Sequence, residues 1–77
     1  MDLYLLIETY PYEGDEVIGV YDSIENAVKA FQDYAAKNNR FNITPADLTK
    51  LSKLKSIKMR SEYYTIEHMV LNRNEFD

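Results

Sequence analysis

Residues 3–36 read LYLLIETYPYEGDEVIGVYDSIENAVKAFQDYAA, and the order of elements in this stretch decides the fold. Residues 3–10 alternate as a strand, with Leu3, Leu5 and Ile7 on one face and Tyr4, Leu6 and Tyr10 on the other. Residues 16–21, EVIGVY, are rich in β-branched side chains and read as a second strand. The five residues between them, PYEGD, contain Pro11 and Gly14, which suit a hairpin loop with room for a bulge. A helix follows. Its cap is Asp22, with Glu25 completing a capping box, or Ser23, and Ile24, Ala27, Val28, Phe31 and Tyr34 or Ala35 form an apolar stripe at helical spacing. Asn38 and Asn39 suit its end, because asparagine accepts a left-handed cap conformation.

Beyond a short connection over residues 40–43, in which Phe41 and Ile43 alternate inward, Thr44-Pro45-Ala46-Asp47 is a second helix start. Thr44 caps, Pro45 takes the first helical position, where its missing N–H costs nothing, and Asp47 closes the box. Leu48, Leu51 and Leu54 fall on one helical face, with Lys50 and Lys53 outside it. Residues 56–60 alternate weakly and residues 63–71 strongly, with Tyr64, Ile66, His68 and Val70 on one face. Residues 72–77 read as a tail. The pattern predicts one α+β domain over residues 1–77. Its order is β-β-α-α-(β)-β, a small two-layer arrangement in which an antiparallel sheet of three or four strands carries its helices on one face.

Seventy-seven residues leave room for one core. With no cysteine there is neither a disulfide framework nor a thiolate metal site, which points to a reducing, cytoplasmic setting. The five-residue apolar run at Leu3–Ile7, flanked by Asp2 and Glu8, is too short for a signal peptide or a membrane span. The formal charge of -4 is segregated, with residues 1–36 acidic, 37–60 basic and 61–77 acidic.

The segment GVYDSIENAVKAF, Gly19 to Phe31, following a tyrosine-rich strand and an acidic hairpin, resembles a family of very small proteins of bacteria and their phages. Tyr21, Ser23, Glu25 and Ala27 occupy that pattern's strand-to-helix junction, and Tyr64 to Leu71 match its closing strand. The resemblance implies the hairpin-helix-strand order and a small accessory role. It implies no activity.

No constellation for catalysis, cofactor or metal emerges. His68 is the only histidine, and its neighbour Glu67 points to the opposite face of the strand. Two glycines cannot build a phosphate loop. The expectation is therefore a binder rather than an enzyme, acting stoichiometrically on a host or regulatory protein and self-associating, most simply as a dimer. Seven tyrosines supply rigid contact area. Tyr4, Leu6 and Tyr10 with Tyr63, Met69 and Leu71 are expected to meet on the uncovered sheet face, although the pattern leaves open which face the helices cover. Glu13, Asp15 and Glu16 form an acidic patch at the hairpin. Lys50, Lys53, Lys55, Lys58 and Arg60 form a basic one, which carries the alternative reading, nucleic-acid binding.

Overall fold

A computed structural model describes residues 1–38 and 42–70. Six elements follow in order: β1 (Asp2–Tyr10), β2 (Gly14–Tyr21), α1 (Ile24–Asn38), α2 (Pro45–Leu54), β3 (Ser56–Met59) and β4 (Glu62–Val70). The strands form one antiparallel sheet in the order β2-β1-β4-β3, and both helices pack on the same face of it. Asn39, Arg40, Phe41, Leu71 and the tail lie outside the described residues.

Local chemistry explains each boundary. At the first hairpin, Glu13 N–H bonds Tyr10 O at 3.3 Å, which places Pro11 and Tyr12 at the two corners of a turn. Proline suits the first corner, and Tyr12 accepts a positive φ of 67° at the second, a conformation glycine would take more cheaply. Helix α1 takes the second of its two cap options. Ser23 Oγ accepts from Asn26 N–H at 3.1 Å, while Asp22 Oδ1 accepts from the Asn26 side-chain amide at 2.7 Å. Helix α2 starts as the sequence predicts. Thr44 Oγ1 accepts from Asp47 N–H at 3.2 Å, and Asp47 Oδ2 accepts from Thr44 N–H at 3.0 Å. It stops at Lys55, whose φ of 62° turns the chain sharply and whose N–H still reaches Leu51 O at 2.9 Å. One residue later β3 begins.

The core sits between the helices and one face of the sheet. Leu6 of β1, Ile57 of β3, and Tyr64 and Ile66 of β4 meet Ala27 and Phe31 of α1 and Leu51 of α2, all buried. Phe31 and Tyr64 pack at 4.9 Å between ring centroids in a tilted arrangement, which favours the edge of one ring near the face of the other. Ile43 packs against this cluster from the α1–α2 connection, as expected.

Strand β2 departs from simple alternation. Leu6 pairs with Gly19 and Ile7 with Val17, so Ile18 is an extra, bulged residue. The bulge turns Ile18 onto the core and leaves Val17 and Val20, three residues apart, on the opposite face beside Ile7 and Leu5. Gly19 is needed for packing. A Cβ there would stand 2.2 Å from the Tyr21 hydroxyl oxygen and 2.6 Å from the ring carbon that bears it, because the ring lies across the glycine.

Two outcomes are expected in urea unfolding. Thr44→Ala should cost about 1 kcal/mol, since it removes one side of the capping box. Gly19→Ala should cost about 1–2 kcal/mol by displacing Tyr21, with much of that penalty absent when Tyr21→Ala is already in place.

Candidate functional site

Two surfaces concentrate unusual chemistry, one inside the molecule and one outside it. The inner one is centred on Glu8. Strand alternation puts Glu8 on the same face as Leu6, under the helices, where its accessible surface falls to 0%. A carboxylate in that position needs hydrogen-bond donors to replace water. Three tyrosines supply them. The hydroxyls of Tyr10 and Tyr34 donate to Oε1, the latter at 2.9 Å, and that of Tyr64 donates to Oε2. Tyr64 is delivered by the register, directly across from Glu8 on β4, and Tyr34 by the fourth turn of α1, 26 residues away. Tyr10 also reaches Glu16 Oε2 at 3.4 Å, so a second carboxylate borders the cluster. The bond to Glu8, then loss of water, then the negative field of Glu8 hold the Tyr10 phenol well above its ordinary value. The sequence signal for this site is a charged residue at an inward position of an otherwise apolar and aromatic strand face, although in the sequence Glu8 marks only the close of the apolar run Leu3–Ile7.

At the far end of the same face, His68 Nε2 lies 3.0 Å from Asp2 Oδ1, and the Tyr4 ring stacks on the imidazole at 4.9 Å and 12°. Local sequence offers His68 no carboxylate, but the pairing of Tyr4 with His68 brings Asp2 beside it. Both side chains are largely exposed. Among the described residues, no three His, Cys, Asp or Glu side chains come together in a way that could hold a metal ion. No helix of the described chain is long and apolar enough to cross a membrane.

The outer surface is the sheet face that the helices leave uncovered. It carries Val17 and Val20 from β2, Leu3, Leu5 and Ile7 from β1, and Tyr63 and Met69 from β4. Val17, Val20, Tyr63 and Met69 are 51%, 54%, 45% and 44% exposed, high values for side chains of this size. The expected interface set does not assemble as drawn from the sequence. Tyr4, Leu6 and Tyr10 face the helices, with Leu6 fully buried, whereas Tyr63 and Met69 face solvent; Leu71 lies outside the described residues. The physical reason is the inward Glu8, whose hydrogen bonds tie the even-numbered face of β1 to α1 and β4.

The charge patches are also divided. Alternation sends Asp15 toward the open face beside Thr9 and Glu16 to the helix side beside Glu8, and leaves Glu13 in the turn. Lys50 and Lys53 are exposed on α2, in the helical layer. Lys55 bonds Ser52 O through Nζ, and Lys58 stands on the open face with Nζ 5.5 Å from the Tyr63 ring centre. Arg60 sits in the β3–β4 turn at a φ of 60°. These cations therefore point from different sides of the molecule rather than along one stripe.

The Glu8 cluster makes a testable demand. Glu8→Leu should cost about 3 kcal/mol or more, because it strands hydroxyls in the core, and Glu8→Gln, which keeps an acceptor, should cost less. The pH dependence has a definite sign. Folding raises the Tyr10 value above its unfolded value of about 10, so its contribution is complete below pH 10 and is lost as pH rises beyond it. Urea midpoints measured across this range should fall on the alkaline side, and by less in Tyr10→Phe than in the wild type.

No protein-family description, curated protein or solved structure matches this chain.

Proposed function

We propose that this chain is a small protein-binding accessory domain that acts stoichiometrically, with the open face of the sheet as its working surface. One observation carries the reading: among the described residues, a continuous block of Leu3, Leu5, Ile7, Val17, Val20 and Met69 stands on the sheet face opposite both helices. Exposing apolar area of this kind costs about 25 cal/mol per Å2, and a folded chain recovers that cost only when something covers the surface. The inner Glu8 cluster fits a structural role, since its hydroxyls and carboxylate already satisfy one another beneath the helices. A phage or other mobile element that must engage a host or regulatory factor is a fitting source for such a binder. The acidic hairpin at the end of the face would favour partners with basic rims. Phosphate-backbone binding finds less support, because Lys58 is set apart from Lys50 and Lys53 by the thickness of the molecule.

The test is affinity capture on the 77-residue chain with mass spectrometry. A protein retained by the wild type should be lost with Val20→Lys and kept with His68→Ala, whose imidazole lies on the other face. His68→Ala should also cost under about 1 kcal/mol of stability, since its pairing with Asp2 is exposed. Recovery of nucleic acid alone, in a salt-dependent manner, would overturn the reading.

A further inference from the structure

We infer that the open face is covered by a second copy of this chain, packed face to face about a twofold axis that lies in the interface and runs across the strands. The inference rests on the reading of that face as a protein-binding surface and names its occupant. The distribution of side chains across the sheet determines the arrangement. One row of paired residues runs Val17, Ile7, Thr65, Ser56 from β2 to β3, and the next runs Val20, Leu5, Glu67. In these two rows the face is thus apolar on β2 and β1 and polar on β4 and β3.

An axis across the strands returns each strand over its own copy, so the apolar half meets an apolar half. With the axis between the two rows, Val17 meets the partner subunit's Val20 and Ile7 meets the partner subunit's Leu5. In the outer rows Tyr63 meets the partner subunit's Met69, a favourable pairing of sulfur with an aromatic ring. An axis along the strands through the middle of the sheet would exchange the halves instead, setting Leu5 against a glutamate and Val17 against a serine, and one displaced to lie between β2 and β1 would overlap only those two strands and leave much of the face uncovered. Shape permits either choice. A twisted sheet is a saddle, and both rotations return a saddle of the same hand that nests on the first at an even spacing near 10 Å. The apolar division selects between them.

Area and charge are consistent with a dimer of modest affinity. Strands of nine, eight, four and nine residues, at about 3.3 Å rise and about 4.8 Å spacing, make a face of roughly 480 Å2. A pair would cover nearly 1,000 Å2, about the minimum for a specific interface. Glu67 does not obstruct it, because β3 pairs only as far as Thr65 and the carboxylate can lean off the free edge of β4 into water. In this dimer the helical layers face outward and the two acidic hairpins stand at opposite ends.

The chain has no cysteine, so introduced thiols report proximity without background. Val17→Cys and Val20→Cys chains, mixed in equal amounts and treated with a short bismaleimide, should give a mixed cross-linked dimer at well over twice the yield of either homodimer, twice being the proportion that random pairing gives. A mixture of Val17→Cys with Ser56→Cys should not. The reverse pattern would place the axis along the strands and overturn the inference. Sedimentation of the wild type should show mass rising with concentration from 9.1 kDa, while Val20→Lys and Val17→Lys, checked for native unfolding transitions, stay monomeric. A wild type still monomeric at about 1 mM would also overturn it. If Val20→Lys nevertheless abolished capture of another protein, the binding role of the face would stand and only the choice of occupant would fall.

Discussion

The structure depends on how one buried carboxylate is satisfied. Glu8 gives up water on all sides, and the hydroxyls of Tyr10, Tyr34 and Tyr64 take its place. Those residues come from β1, α1 and β4, so one set of hydrogen bonds fixes which face of the central strand the first helix covers and which strand lies beside it. Apolar packing alone would not do so. Leu3, Leu5 and Ile7 are as hydrophobic as Tyr4, Leu6 and Tyr10, and a helix would lie on either set. A polar group that can be satisfied in only one arrangement removes that ambiguity, which is the best-attested benefit of burying one.

The division of faces that follows explains why the candidate surface was only half legible from sequence. Elements were plain because their signals are local: the Thr44–Asp47 box, the stripe from Ile24 to Ala35, the alternation of residues 63–71. The antiparallel sheet and the one-sided helices followed from their order. The choice of face was not local. It rests on a contact 26 residues apart between Tyr34 and Glu8 and another 56 residues apart between Tyr64 and Glu8, and neither has a signature in spacing. The pairing of Asp2 with His68, 66 residues apart, was hidden for the same reason. Tyrosines looked like interface anchors because tyrosine is common at interfaces. Here three of the seven point their hydroxyls inward at one acceptor, and the outer face is mainly aliphatic, with Tyr63 beside it.

Stability and surface are linked through this arrangement. A chain of this length buries only about 60–65% of the surface it would expose unfolded, and its margin is correspondingly small. It devotes one face of its central strand to a polar cluster and leaves the other uncovered, so much of its apolar content lies outside the core. Covering the open face would add to the stability of the fold as well as to that of the complex, by mass action on the folded state.

The bulge at Ile18 has a consequence for solubility. Strand β2 forms one edge of the sheet, and a straight edge next to an apolar face invites further strands and, at high concentration, fibres. An extra residue at mid-strand interrupts the row of backbone donors and acceptors and increases the local twist, so a second edge cannot run alongside for its full length. The same residue that places Val17 and Val20 together on the face thereby spoils the edge, and lateral growth into an amyloid-like ribbon is discouraged while face-to-face contact stays open. A deletion that straightened β2 would remove that obstacle and leave an edge along which growth has no natural end.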